Sequence, residues 1–176
     1  GKDVTELLKE NPDNPDWGAE QTFHWGSKPW LGYYTAGDKY VVAKHMQMLV
    51  DAGVDFLFLD ATNSYHYPTR VEVLMREALG MKSPKLAFMV HSNATATAEN
   101  IYNTFYKDSK YDKYWFEYEG KPLLLGNKAE ISHTLVKGLV DRFTFRNSWA
   151  WMGGANADEW AWLEYYPQRP GWTSVY

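Results

Sequence analysis

Asp38-Lys39-Tyr40-Val41-Val42-Ala43-Lys44-His45-Met46-Gln47-Met48-Leu49-Val50-Asp51-Ala52-Gly53-Val54-Asp55-Phe56-Leu57-Phe58-Leu59-Asp60-Ala61-Thr62-Asn63 sets a helix and a strand end to end. Asp38 is placed to cap a helix whose apolar positions Val42, Met46, Leu49 and Ala52 share one face, and Gly53 stands where a left-handed residue stops it. The period then changes. Val54 to Leu59 is a nearly continuous apolar run, too short for a second helix and rich in strand formers, as in a parallel strand covered on both faces. It ends on Asp60-Ala61-Thr62-Asn63, where a carboxylate, a hydroxyl and an amide leave the strand together. Parallel α/β folds bind ligands at the carboxyl ends of their strands, which makes this cluster the first candidate site.

The same alternation recurs downstream. Pro68 opens a helix with Val71, Leu74, Met75 and Ala78 inward and Gly80 closing it, and Lys85 to His91 is a second buried strand ending on His91-Ser92-Asn93. Thr95 or Thr97 caps a third helix carrying Ile101, Tyr102 and Phe105. Tyr114 to Tyr118, Glu119-Gly120-Lys121 and Pro122 to Leu125 predict strand, turn and strand, ending on Gly126-Asn127. A fourth helix follows from Ile131, Leu135 and Leu139, then a strand over Arg142 to Asn147 and a final one over Trp160 to Pro167, with Glu164 near its carboxyl end. Upstream, Asp3 to Glu10 predicts a short helix and Trp17 to Tyr34 a long aromatic loop. Between them, Asp13, Asn14 and Asp16 could hold calcium, but two prolines and the absence of EF-hand spacing favour a plain turn.

This order predicts a parallel sheet with helical crossovers, open or closed into a barrel. An eight-unit barrel takes roughly 200 to 250 residues, whereas this chain has 176 residues and about five units. The expectation is a partial or shortened (β/α)8 (TIM-type) barrel, residues 1–176 forming one catalytic-type domain. Its first strand and closing units would come from another chain or segment. Composition narrows the chemistry. A net charge of −4 argues against nucleic acid, and no apolar run approaches the roughly 18 residues of a membrane span. The absence of cysteine excludes thiol catalysis, and no phosphate loop or Gly-x-Ser-x-Gly elbow is present. No His-x-His or His-x-x-x-His spacing supports a catalytic zinc, so neither metal nor cofactor is expected. Nine Trp and thirteen Tyr outnumber eight Phe, a balance that suits half-exposed clefts better than dry cores.

Several segments carry a resemblance: Phe23-His24-Trp25-Gly26, Leu31-Gly32-Tyr33-Tyr34, Lys44-His45-Met46-Gln47-Met48-Leu49, Asp51-Ala52-Gly53-Val54-Asp55, Leu59-Asp60-Ala61-Thr62-Asn63, Glu119-Gly120-Lys121-Pro122-Leu123, and Trp162-Leu163-Glu164 with Tyr166-Pro167-Gln168. Together they resemble bacterial glycoside hydrolases of the family 71 and family 99 type, the (β/α)8 barrels that include fungal α-1,3-glucanases and endo-α-mannosidases. The resemblance implies hydrolysis of an oligo- or polysaccharide by strand-end carboxylates, in a secreted or periplasmic protein. No apolar signal-type run follows Gly1, so the expectation is a start that is mature, trimmed or engineered. The alternative is a non-catalytic carbohydrate-binding or structural barrel fragment.

Asp60 is the first catalytic candidate, as nucleophile, base or electrostatic partner; its competing role is to accept hydrogen bonds from the loop that follows. Glu164 is the second, as general acid or base, unless it pairs with Arg146 or Arg169. Asn63, His91, Asn127 and Asn147 end strands and offer neutral donors and acceptors to a hydroxyl-rich ligand. His24 can hydrogen-bond a sugar, while Trp25, Trp149, Trp30, Tyr65, Trp151 and Tyr166 can stack on one or simply pack. His45 and His133 fall inside predicted helices, and Asn93-Ala94-Thr95 is an incidental glycosylation triplet.

Overall fold

The computed structural model describes residues 4–16, 29–32, 34–78, 84–148 and 158–160. They belong to two compact units, Gly1–Ala52 with Thr69–Ser83, and Gly53–Pro68 with Pro84–Tyr176. The first holds α1 (Val4–Glu10), α2 (Lys39–Asp51) and all but the first residue of α3 (Pro68–Glu77). α2 begins as its sequence demands, with the Asp38 carboxylate accepting the Val41 N–H at 3.1 Å. Val41 and Met46 are its buried residues, while Val42 and Leu49 are half-buried, so the covered stripe is turned toward Val41. α3 buries Val71 and Met75, one turn apart.

The second unit holds β1 (Phe56–Ala61), β2 (Lys85–Val90), α4 (Ala94–Ile101), β3 (Glu117–Tyr118), β4 (Lys121–Leu125), α5 (Lys128–Ile131), α6 (Leu139–Arg142) and β5 (Thr144–Arg146). β1 pairs with β2, β2 with β4, and β4 with β5, all parallel. β3 joins β4 as an antiparallel hairpin. Its two-residue turn has Glu119 at φ +54° and Gly120 at φ +78°, the left-handed pair such a hairpin requires. The Glu119 carboxylate accepts from Arg146 at 2.8 Å.

Register decides which side chains meet. Asp60 lies opposite Met89, Met89 opposite Leu125, and Leu125 opposite Arg146, so these four share one face. On that face Ala87, Met89, Leu123 and Leu125 form a buried cluster, with Phe56, Phe116, Tyr118 and Trp160 packed against it. Phe88 and Leu124 point the other way, and Phe88 stacks on Phe105 at 5.7 Å. β2 is buried after its first residue, as expected, and β4 is buried after its first residue too. β1 is not: its residues are mostly half-exposed, Phe58 at 43%, because among the described residues it pairs on one side only. The expectation of a strand covered on both faces therefore fails for β1.

Two helices also depart from expectation. α4 starts before either threonine, after Asn93 at φ +47°, and runs into a π-helical turn over Tyr102–Tyr106. Thr95 and Thr97 donate their hydroxyls to the carbonyls of Glu130 and Ser92 instead of capping. The predicted fourth helix is two short ones, α5 and α6. Ser132 donates to the Lys128 carbonyl, and Thr134 accepts the Val136 N–H at 3.1 Å, local bonds that compete with the helical ladder. Ile131 and Leu139 stay fully buried, whereas Leu135 is 96% exposed. Replacing Ile131 by Ala should cost about 2–5 kcal/mol. Replacing Leu135 by Ala should change stability by no more than about 0.5 kcal/mol, both read from urea unfolding. A continuous helix would make both substitutions costly.

Candidate functional site

At the carboxyl end of β1 the Asp60 side chain lies on the face opposite Phe88 and is exposed to solvent. Its Oδ1 accepts the Thr62 N–H at 2.9 Å and the Thr62 hydroxyl at 2.7 Å, which fixes the carboxylate and turns the chain. Oδ2 makes no hydrogen bond with the described residues. Asp60 thus holds the loop with Oδ1. Asn63 follows, exposed, and Ser64 takes φ +66°. The Ser92 N–H donates to the Thr62 carbonyl, the Ser64 hydroxyl to the Ser92 carbonyl, and Asn93 Nδ2 to Ser64 Oγ, all between 2.9 and 3.0 Å. These bonds lace the end of β1 to the end of β2, where His91 is exposed.

A hollow of about 230 Å³ opens beyond β2, β4 and β5, lined by His91, Asn127, Glu130, Asn147 and Ser148 above Val90. Asn127 Oδ1 accepts the N–H groups of Ala129 and Glu130 at 3.0 and 3.4 Å, the capping role open to an asparagine ahead of a helix. A second hollow of about 400 Å³ shares Asn127 and Asn147 and adds Lys128, Ser132, Asp158 and Glu159. It exists because Asn147 bridges to Glu159 in parallel, with the Ser148 hydroxyl donating to the Trp160 carbonyl. Glu159 is half-buried there.

The structure brings His91 and Asn127 to one hollow, with Asn147 beside them, while Asp60 and Asn63 line neither hollow. Glu164, His24, Trp25 and Trp149 lie outside the described residues, as do Trp151, Tyr166 and most of the aromatic loop. Of the other aromatic candidates, Trp30 is exposed, and Tyr65 is exposed beside Tyr67 in an edge-to-face pair at 4.8 Å. Glu130 is the residue the sequence reading missed. Its signal was present: Asn127-Lys128-Ala129-Glu130 has capping-box spacing, yet Glu130 Oε1 reaches across to the Ala94 N–H at 3.2 Å instead of back to Asn127. Among the described residues no group of three or more His, Asp or Glu could hold a metal ion, and no helix is long and apolar enough to cross a membrane.

No protein-family model matches the chain, and no curated protein matches it significantly. Solved structures do. The GH99 endo-α-mannosidase from Bacteroides thetaiotaomicron in complex with Bis-Tris-propane is similar with a TM-score of 0.51 and 22% identity, over 72% of this chain and 44% of that one. A second structure of the GH99 endo-α-mannosidase from the same organism gives 0.52 and 20%, over 69% and 40%. The chain has a GH99-like fold. Identity this low carries the fold alone, a parallel-strand α/β sheet consistent with part of a (β/α)8 barrel, and the chain spans less than half the length of either structure.

One histidine near the site has a shifted proton affinity. His66, after β1, sits edge-on to Phe105 and 3.3 Å from Thr104 Oγ1. Thr104 donates its own proton to the Asn100 carbonyl, so the imidazole Nε2–H donates to Thr104. Burial lowers the His66 pKa below its ordinary value of 6.5. The unfolded chain therefore binds this proton first as pH falls. The stability from neutral His66 should be complete above about pH 6.5 and decline as pH falls through the lowered folded value. Urea unfolding across that range should show the slope, and His66→Gln should flatten it.

Proposed function

We propose that this chain is part of a glycoside hydrolase that acts on an oligo- or polysaccharide at the carboxyl ends of its parallel strands. One observation carries the reading: Asp60, His91, Asn127 and Asn147 leave β1, β2, β4 and β5 at the same end of a sheet whose structural neighbours are endo-α-mannosidases. Asp60 serves as a catalytic carboxylate through Oδ2, and Glu164 as its acid or base partner. Both carboxylates would act on an oxocarbenium-like transition state, one by protonating the leaving oxygen and one by stabilising or attacking the anomeric carbon. His91, Asn127 and Asn63 hold sugar hydroxyls, with His24, Trp25 and Trp149 adding contacts and stacking faces.

The rest of the barrel is supplied by another segment or chain, and residues 1–176 contribute to one catalytic-type domain. Supporting this are the greater length of both neighbours and the exposed Phe58 on the face that a closed barrel would enclose. A polysaccharide substrate in turn suits a secreted or periplasmic protein. The same shortfall in length favours the second reading, a carbohydrate-binding barrel segment with no turnover of its own.

Hydrolysis of a panel of α- and β-linked oligosaccharides, followed by product chromatography, separates the two. The hydrolase reading expects cleavage of at least one linkage. Asp60→Asn, which retains the Oδ1 acceptor for Thr62, should lower turnover by roughly 100-fold or more with little change in melting temperature. Binding without cleavage, in this chain and in the complete protein that contains it, supports the second reading. An Asp60→Asn protein with full turnover removes Asp60 from the mechanism.

A further inference from the structure

Glu130 is held from three directions. Its N–H donates to Asn127 Oδ1 at 3.4 Å, its carbonyl accepts the Thr95 hydroxyl at 2.9 Å, and its carboxylate Oε1 accepts the Ala94 N–H at 3.2 Å. Ala94 is 1% exposed, and its N–H belongs to the first turn of α4, where no intrahelical acceptor exists. One oxygen of Glu130 therefore has a structural task, and the carboxylate cannot swing away without leaving a buried donor unpaired.

The other oxygen, Oε2, makes no hydrogen bond with the described residues, and Glu130 lines the hollow of about 230 Å³ that also contains His91. Asn127 lines the same hollow. Because its Oδ1 accepts two helix N–H groups, its Nδ2 is turned away from the helix, so the orientation of the amide follows from the bonds it makes. An anionic acceptor in the first turn of α5 and a neutral donor at its cap thus stand three residues apart, each fixed by a bond unrelated to any ligand. Such prior fixing is what a selective site needs, since little ordering remains to be done on binding.

We propose that Glu130 Oε2 and Asn127 Nδ2 together grip two adjacent hydroxyls of one pyranose ring seated in this hollow, Glu130 accepting from one hydroxyl and Asn127 donating to the other. The proposal rests on the carbohydrate reading above and gives it a binding residue that is not a catalytic carboxylate. A hydroxyl pair suits both groups because each hydroxyl can donate and accept. The volume suits one ring, being below the roughly 300–1,000 Å³ of pockets that enclose drug-sized ligands. The simpler account makes Glu130 only the clamp between α4 and α5.

Glu130→Gln separates the two. The glutamine carbonyl can still accept the Ala94 N–H, but the second oxygen becomes an N–H₂ donor that cannot accept from a hydroxyl. Equilibrium binding of α-mannotetraose and of an α-1,3-linked glucotetraose is measured by calorimetry for the unmodified protein, Glu130→Gln and Glu130→Ala, alongside thermal unfolding. The proposal expects Glu130→Gln to melt as the unmodified protein does and to bind at least about tenfold more weakly. Glu130→Ala should bind as weakly and also melt lower. Binding by Glu130→Gln within about twofold of the unmodified protein overturns the proposal and leaves the carbohydrate reading intact. Failure of the unmodified protein to bind either tetraose, or any member of the wider panel, overturns both.

Discussion

The in-register parallel pairing of β1 with β2 is the constraint on which the rest depends. Six consecutive pairs, Phe56 with Lys85 through Ala61 with Val90, fix which face each side chain takes. Sliding β1 by one residue would turn Asp60 toward the Phe88 side and bring Leu59 onto the face with Met89. The register is protected at its upper end by hydrogen bonds from Ser92 to Thr62 and from Ser64 to Ser92, and at its lower end by Lys85 N–H to the Asp55 carbonyl. Asp60 has a defined place because its strand cannot slip.

Aromatic burial holds the Phe88 side of the sheet. Phe88 stacks on Phe105, Tyr106 stacks on Trp115 at 4.1 Å, and Phe143 meets Tyr106 edge-on at 4.7 Å. Pairs of this kind contribute about 0.5–1.5 kcal/mol each beyond the area they bury. Burial also raises the Tyr106 phenol pKa well above its ordinary value of 10; nearby Arg142 opposes the shift and Asp112 adds to it. On the other face the Arg146 guanidinium lies 4.8 Å from the Tyr118 ring and 5.7 Å from that of Trp160, while it also pairs with Glu119. A cation placed among rings there ties β5, the β3–β4 hairpin and Trp160 together. The strand ends that carry the site are therefore anchored from both faces.

Much of the αβ alternation was legible because its signals are local. Asp38 caps α2, Pro68 opens α3, Leu86 to Val90 is a buried strand, and Glu119-Gly120 makes the hairpin turn. Each depends on residues within a few positions of one another. The broken helix at Leu135 was not legible from periodicity, because Ile131, Leu135 and Leu139 satisfy helical spacing. Where it breaks stand the hydroxyl bonds of Ser132 and Thr134, including one from Thr134 to the Glu99 carboxylate on α4, and Gly138 at φ +84°. The exposure of β1 was hidden for a similar reason: an apolar run shows that a strand can be covered, and only its neighbours show whether it is.

At the site, the sequence by itself determined that polar residues would end each strand, and Asp60, His91, Asn127 and Asn147 do so. It could not determine how their atoms are used. Asp60 Oδ1 is engaged with Thr62 two residues on, a bond short enough in sequence for a linear reading to reach. Glu130 meets Ala94 across 36 positions, and that contact exists only once the chain has carried α4 and α5 side by side. Hydrogen-bond caps, turns and periodicity act over a few residues, so a linear reading reaches them. The pairing of a carboxylate with a distant helix end depends on the three-dimensional path of the chain, and tertiary structure alone decided it.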